Sequence, residues 1–198
     1  MQVTRITNTF YSSNTFVLSE NDSPFVWLVD CGDYVSQIKP FLNGRTIKGI
    51  LLTHTHSDHI YGLNDLLRDY PDVQICSNDF GKKALRDARL NLSKYHSEVT
   101  DLTIECEANM VVVDEGDKID LFDNHKARSL STPGHDESCI SYIVDDYIFT
   151  GDSFIPGFKV SASFPHSNKD DALASYERLK LTSRGYWVCP GHGEIVMQ

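Results

Sequence analysis

The stretch from Leu51 to Gly62, LLTHTHSDHIYG, places three histidines and one aspartate within six residues, directly after an apolar run. The run itself, Ile47–Leu52, predicts a buried strand, and apolar residues at helical spacing predict a helix over Ile60–Tyr70 that ends at Pro71. Residues two apart in an extended backbone point to one side, and imidazole and carboxylate are donors that zinc accepts. The stretch therefore predicts metal ligands. The four candidates are His54, His56, Asp58 and His59.

Three further motifs each place a histidine or an aspartate just past a predicted strand and beside a glycine. They are TPGH at Thr132–His135 after Ala127–Ser131, TGD at Thr150–Asp152 after Tyr147–Phe149, and PGHG at Pro190–Gly193 after Tyr186–Cys189. Glycine lets the backbone bend sharply and approach an ion closely. The candidate ligands here are His135, Asp152 and His192. Together the four strand-end loops carry seven donors, which predicts a site for two metal ions at one edge of the sheets.

The predicted strands come in two batches, and helices follow each batch. The first batch begins with Gln2–Thr7, Ser13–Leu18 and Phe25–Val29. Its helices include Asp79–Arg89, and the second batch is followed by a helix over Asp170–Leu181 with Asn168 or Asp170 as N-cap. This order predicts an α/β fold in which two sheets pack face to face with helices outside, a four-layer αββα sandwich. At this length we expect a single domain over residues 1–198.

Composition and charge narrow the classes of function. The formal net charge of −10 argues against a nucleic-acid binder, because such a protein needs a basic face. No apolar run approaches the roughly 20 residues that span a bilayer, and the N-terminus lacks the pattern of a secretory signal. Five cysteines without CxxC spacing suit reduced thiols. We therefore expect a cytoplasmic protein that acts on a small molecule, with no nucleic-acid or membrane partner. The sequence does not predict its oligomeric state.

The motifs HTHSDH, TPGH, TGD and PGHG, in that order, resemble those of the metallo-β-lactamase-fold hydrolases, and their spacing is most similar to the glyoxalase II-like branch. Two weaker features agree with this resemblance. Leu28–Gly32 resembles the family's apolar strand that ends in D-x-G, and Glu115–Ile119 resembles its G-D-x-I turn. The resemblance runs from about Asn14 to Gly193 and implies the αββα fold of that family.

Transferred residue by residue, the resemblance implies two divalent metal ions, with zinc as the first expectation and iron or manganese as alternatives. One ion would be bound by His54, His56 and His135, the other by Asp58, His59 and His192, with Asp152 bridging both. It also gives Asp30 a role in orienting a ligand histidine, although Asp30 is also an ordinary turn residue before Gly32. We further expect Asp58 to orient a metal-bridging hydroxide and to pass a proton to the leaving group.

The leading hypothesis is a hydrolase that cleaves a small thioester, ester, lactone or phosphodiester. In glyoxalase II-like proteins, the substrate contacts come largely from a helical region after PGHG, and only Glu194–Gln198 follow that motif here. An alternative from another class is a mononuclear Fe(II) persulfide dioxygenase-like oxidoreductase, because two histidines and a carboxylate with open positions suit Fe(II). A third reading is a metal-binding protein without catalysis.

The loop from Ser153 to Asn168 departs from the relatives, which commonly carry an arginine there. Its phenylalanines, Phe154, Phe158 and Phe164, could line an apolar wall or belong to the core. Lys159 or His166 could supply a polar handle for a substrate. The sequence does not decide between these roles.

Overall fold

The computed structural model describes residues 1–106 and 109–198, and the strands in this part of the chain form two six-stranded sheets. In order across the first sheet, its strands are β1 Gln2–Thr7, β2 Asn14–Ser19, β3 Phe25–Val29, β4 Thr46–Leu51, β5 Gln74–Ser77 and β6 Met110–Val112. Strands β1 to β3 pair antiparallel, whereas β3 to β6 pair in parallel. Every residue of β2 is buried, which is typical of a strand covered on both faces.

In the second sheet, too, strands that are consecutive in the chain are neighbours. Its strands are β12 Val196–Met197, β11 Trp187–Pro190, β10 Tyr147–Gly151, β9 Ile140–Val144, β8 His125–Ser131 and β7 Lys118–Phe122. Strands β10 and β11 are parallel, and the other neighbouring pairs are antiparallel. The indole nitrogen of Trp27 donates a hydrogen bond of 2.9 Å to the carbonyl of Leu121, which joins the two sheets through the core.

Helices cover the outer faces of both sheets. They are α1 Val35–Leu42, α2 Ser57–Ile60, α3 Leu63–Asp69, α4 Asp79–Ala84 and α5 Lys169–Thr182, with a 3₁₀ turn at Ser93–Tyr95. Ile38 of α1 and Leu63 of α3 pack on the first sheet, and Leu179 of α5 packs on the second. Between the sheets lies an aromatic core that includes Trp27 and Tyr142. The predicted αββα sandwich is confirmed. None of the helices within the described residues is long and apolar enough to cross a bilayer.

The helix predicted over Ile60–Tyr70 is wrong as a single element, because the structure has α2 and α3 with a break at Gly62. In a continuous helix the Gly62 N–H would donate to the Asp58 carbonyl. Here the Asp58 carbonyl accepts a 2.6 Å hydrogen bond from the Ser13 hydroxyl, and the Gly62 N–H donates to the Cys31 carbonyl. Tertiary hydrogen bonds therefore replace the helical one.

The helix predicted over Asp79–Arg89 is also too long, since α4 ends at Ala84. The side-chain amide of Asn91 donates to the Ala84 carbonyl at 3.0 Å, and the Ile104 N–H donates to the Leu85 carbonyl at 2.8 Å. The carbonyls that would continue the helix are thus occupied by later parts of the chain. The helix α5 follows its prediction closely, and its N-cap is Asn168, whose side chain accepts from the N–H groups of Asp170 and Asp171.

Candidate metal centre

The loop that follows β4 is held to both sheets by hydrogen bonds of the threonines on either side of His54. The Thr53 N–H donates to Asp30 Oδ1 at 2.7 Å, and the Thr53 carbonyl accepts from the Ile140 N–H at 2.8 Å. The N–H and hydroxyl of Thr55 both donate to the Ser138 hydroxyl oxygen at 3.0 Å. His56 then has extended dihedral angles and begins α2. The histidines before α2 and the donors within it therefore share one rigid support.

The other three donors come from the second sheet, at the ends of β8, β10 and β11. They are His135, Asp152 and His192. Gly134, just before His135, has a φ of +125°, and a Cβ there would overlap the backbone of α5 at Ala172. A Cβ at Gly191 would overlap the Asp152 carboxylate and the His59 ring. Only glycine allows these loops to approach so closely.

All seven predicted donors come together in one cluster. Among the described residues, three groups have donor atoms within 4.8 Å of one another, namely His54, His56 and His135; His54, His59 and Asp152; and Asp58, His59 and His192. His135 Nε2 lies 2.9 Å from His56 Nδ1 and 3.6 Å from Asp152 Oδ2. At the other end of the cluster, His192 Nε2 lies 3.3 Å from Asp58 Oδ2. Donors that are scattered over the sequence are thus neighbours in space.

Hydrogen bonds outside the cluster determine which ring nitrogen faces inward. His135 Nδ1 donates to the Ser161 carbonyl at 2.7 Å, which leaves Nε2 as the inward acceptor. His59 Nδ1 donates to Asp30 Oδ2 at 2.8 Å, so its Nε2 also faces the cluster. Asp30 therefore orients a candidate ligand, as the resemblance implied.

A second buried carboxylate beside a candidate ligand, Asp136, was not predicted from the sequence. This residue is fully buried, and its Oδ2 lies 3.7 Å from His56 Nε2 on the side away from the cluster. The Ser138 hydroxyl and N–H both donate to the other carboxylate oxygen. The one available signal was its position directly after His135 in the TPGH motif.

The inward-facing atoms have the character expected of metal donors. His54 Nε2, His59 Nε2 and Asp152 Oδ1 are buried and have no hydrogen-bond partner. Buried polar atoms are nearly always paired, so several orphans that converge on one point indicate a missing partner that accepts lone pairs. A divalent cation is such a partner, and imidazole with carboxylate suits zinc, iron and manganese. The residues present therefore fit the implied ions.

Burial and close charged neighbours shift the pKa values of the side chains in the cluster. Burial, together with the neighbouring histidines, lowers the pKa of His54 well below its usual value, so this ring is neutral. Burial would lower the pKa of His59 too, but Asp58 and Asp30 outweigh it and raise that pKa to about 10. Burial would raise the pKa of Asp58, but His59 and His192 hold it below its ordinary value. Without an ion, a protonated His59 partly neutralises the carboxylates.

The loop after Asp152 contributes one wall beside the cluster. A cavity of about 250 Å³ is lined by Ile155, Phe158, Lys159 and Val160 together with His135, Asp152 and His192. Of the three phenylalanines, Phe154 belongs to the core under α5, whereas Phe164 packs edge-on against His56 and His135. His166 lies 3.5 Å from Glu137 and does not line this cavity.

The chain is similar to several known proteins. A family model described as the metallo-beta-lactamase superfamily matches residues 8–192. A protein of Streptococcus pyogenes named "Probable metallo-hydrolase" is 28% identical over 203 residues, covering 98% of this chain and 84% of that protein. A hydroxyacylglutathione hydrolase of Vibrio campbellii is 33% identical over 147 residues, which cover 72% of this chain but 47% of that enzyme. The crystal structure of the BLEG-1 B3 metallo-beta-lactamase shares the fold, with a TM-score of 0.86 and 24% identity over 98% of this chain and 93% of that one.

Proposed function

The chain belongs to the metallo-β-lactamase superfamily, and we propose that it is a hydrolase that uses two divalent metal ions to cleave a small ester-type substrate. The names of its relatives indicate a hydrolase. The observation that supports a two-ion site is the arrangement of the seven donors as two sets with Asp152 between them. Asp152 Oδ2 lies 3.6 Å from His135 Nε2 in one set and 3.6 Å from His192 Nε2 in the other.

In this proposal the two ions have separate ligands. His54, His56 and His135 would hold one ion and Asp58, His59 and His192 would hold the other, with Asp152 between the two sets. Zinc is the first candidate, and iron or manganese fit the same donors. When bound, the ions would supply a hydroxide nucleophile at neutral pH and would polarise the scissile carbonyl or phosphoryl group.

Residues of the chain perform the remaining steps. Asp58 would orient the nucleophile and carry a proton to the leaving group, and Asp30 holds His59 in position through its hydrogen bond. Asp136 lies 3.7 Å from His56 and supplies negative charge beside that ring. The side chains of Ile155, Phe158 and Val160 supply an apolar surface beside the cluster against which a substrate can pack. No serine or cysteine nucleophile is needed, and all five cysteines are buried.

The cavity and the relatives favour a thioester or ester over a phosphodiester. The apolar cavity of about 250 Å³ suits a small acyl group, with Lys159 at its edge for an anionic substituent. The Vibrio relative is named for a glutathione thioester, but the present chain spans about half of that enzyme. We therefore propose a small thioester or ester without assigning glutathione as the carrier. The cytoplasmic location and the single domain over residues 1–198 remain predictions.

The first test is metal content followed by a substrate panel. Protein purified without added metal should contain two ions per chain, and a panel of thioesters, esters, lactones and bis-phosphodiesters should reveal hydrolysis that chelation abolishes. One iron per chain with oxygen uptake on glutathione persulfide would instead establish the oxidoreductase reading. If the protein binds metal but hydrolyses none of these substrates, and if replacing Asp58 changes no activity, it is a metal-binding protein without catalysis.

Metal binding should change the protonation of His59 but not that of His54. In the metal-free protein at neutral pH, His59 carries both ring protons because its pKa is raised to about 10, whereas His54 is neutral. A ligand nitrogen must be unprotonated. Nitrogen NMR of the rings should therefore show His59 losing its Nε2 proton on zinc addition while Nδ1 keeps the proton shared with Asp30. Retention of both His59 protons in loaded protein would rule out this residue as a ligand.

Gly191→Ala should weaken metal binding, because the added Cβ displaces the Asp152 carboxylate and the His59 ring. We expect a loss in metal affinity of at least about 10-fold, measured by competition with a chromophoric chelator. Gly193→Ala is a matched control, since its Cβ meets nothing within 4 Å and its positive φ costs only backbone strain. Equal affinities for Gly191→Ala and the unmodified protein would show that Asp152 does not bind the ion.

A further inference from the structure

We propose that the hydroxyl of Tyr11 donates a hydrogen bond to the leaving group of the substrate, and that His96 positions this hydroxyl. The inference rests on the proposed hydrolase function and adds to it a group that contacts substrate. Neither residue lies near a motif in the sequence, and the two are 85 positions apart. Only the fold brings them together, at a cavity that both residues line.

Two cavities meet at the donor cluster. The first, of about 250 Å³, has the apolar wall of Ile155, Phe158 and Val160, and we name it the acyl cavity. The second, of about 190 Å³, is lined by Tyr11, Leu92, His96 and Phe164, and we name it the leaving-group cavity. Both are also lined by His135, Asp152 and His192. A substrate whose scissile bond lies over the cluster would therefore extend one half into each cavity.

The position of Asp58 determines which cavity holds the leaving group of the substrate and which holds its acyl group. Asp58 lines the leaving-group cavity and not the acyl cavity. A carboxylate that carries a proton to the departing atom must lie within reach of that atom. The departing half therefore occupies the cavity of Tyr11 and His96, while the acyl half lies against Phe158 and its neighbours.

The contact between Tyr11 and His96 can orient the tyrosine hydroxyl. Tyr11 Oη lies 3.1 Å from His96 Nδ1, and the ring centroids are 5.2 Å apart. In the His96 tautomer that carries its proton on Nδ1, this N–H donates to the phenol oxygen, and the phenol proton can then be donated to another acceptor. Glu98 also lies near the phenol, and burial, together with the Glu98 carboxylate, raises the pKa of Tyr11. A phenol keeps its proton at neutral pH, since its ordinary pKa is about 10. Tyr11 can therefore stabilise negative charge as it develops on the departing oxygen or sulfur.

The backbone at Tyr11 is held in an unfavourable conformation. Tyr11 and Ser12 both have left-handed angles, with φ of 49° and 54°. Such angles are unfavourable for every residue except glycine, and residues of this kind cluster at functional sites. Despite these unfavourable angles, hydrogen bonds hold the turn from Asn8 to Ser13 in place. The Ser13 hydroxyl donates to the Asp58 carbonyl at 2.6 Å, and the Thr9 N–H donates to the Asp33 carboxylate at 2.7 Å. The strained turn is thus tied to the same loop that carries the candidate ligands.

A purely structural role is the competing explanation. The contact between Tyr11 and His96 joins the β1–β2 turn to the segment after the 3₁₀ turn, and this could be all that it does. The two explanations differ in their dependence on the leaving group. A structural contact affects all substrates equally, whereas a hydrogen bond to the departing atom matters most when that atom leaves poorly.

The test is a series of esters with one acyl group and leaving alcohols or phenols of graded pKa. We expect Tyr11→Phe to lower kcat about 10- to 100-fold for the poorest leaving groups and to have little effect for the best. His96→Ala should reproduce this pattern, His96→Asn should restore part of the rate through its amide donor, and the double variant should be no worse than Tyr11→Phe. Tyr34→Phe, which removes an exposed hydroxyl bonded to Tyr61, is the control and should change nothing.

Three results would overturn the inference. They are a loss that is uniform across the series, no loss at all, or a Tyr11→Phe variant that has lost its metal. A different result identifies failure of the proposed function. If the unmodified protein with two ions bound hydrolyses no ester or thioester in the series, the hydrolase proposal fails, and the role of Tyr11 fails with it.

Discussion

Replacing Asp58 with asparagine should lower kcat about 1,000-fold while KM changes little, because the variant loses a proton carrier that acts only in the transition state. The asparagine amide keeps the size of the side chain but binds a cation more weakly than a carboxylate does. The Asp58 oxygen that lies 3.3 Å from His192 would be the anionic donor of the proposed second set. We therefore also expect metal content to fall from two ions toward one. Steady-state kinetics and elemental analysis on the same sample measure both effects.

Asp72→Asn is the control for this experiment, since it makes the same change at an exposed turn residue. It should leave both kcat and metal content unchanged. Full activity of the Asp58→Asn variant would show that Asp58 does not carry a proton in the reaction. A variant with two ions and low activity would separate the proton-carrying role from the ligand role.

Asp30→Ala should be the most destabilising single change at the centre. The Asp30 carboxylate accepts from His59 Nδ1 and from both the N–H and the hydroxyl of Thr53. Its removal leaves a buried imidazolium without this partner. We expect the free energy of unfolding of the metal-free protein to fall by about 3–5 kcal/mol, and metal affinity to fall about 10- to 100-fold. Urea denaturation of protein stripped by a chelator measures the first effect, and chelator competition the second.

The stability lost in Asp30→Ala should depend on pH in a defined direction. The pKa of His59 is raised from 6.5 to about 10 in the folded metal-free chain, so its pairing stabilises the fold fully below pH 6.5. That stabilisation is lost as pH rises through about 10. The difference between the unmodified protein and the variant should therefore shrink over this range. Asp30→Asn controls for shape, because asparagine tolerates the φ of 59° at this position. A difference that is constant with pH would mean that His59 is not charged.

Strand positions followed from the sequence more closely than helix lengths did. The prediction for β3, Phe25–Val29, matches the structure, because turn residues bound a short apolar run and burial fixes its two faces. The helices α2, α3 and α4 depend on distant hydrogen bonds, such as Ser13 to Asp58 and Asn91 to Ala84. Periodicity cannot show those bonds. The edge strand β12 has two residues and was not predicted, since so short an element carries no periodic pattern.

The same distinction applies to the site. The seven candidate ligands were predicted because each lies in a local motif at a strand end, where neighbouring residues limit where the side chain can point. Asp30 was predicted through the resemblance of Leu28–Gly32 to the family's strand that ends in D-x-G. Asp136, Tyr11 and His96 take their positions from packing between distant segments. Single-residue signals do not record such packing, so the contacts of these three residues are visible only in the folded chain.

The central claim is that two ions share one centre with Asp152 between them. The most direct test is a crystal structure of the zinc-loaded protein with data collected on both sides of the zinc absorption edge. We predict two anomalous peaks in each chain. One lies among His54, His56 and His135, the other lies among Asp58, His59 and His192, and an Asp152 oxygen contacts each. A single peak at full zinc loading, or an Asp152 carboxylate turned away from both positions, would contradict the account.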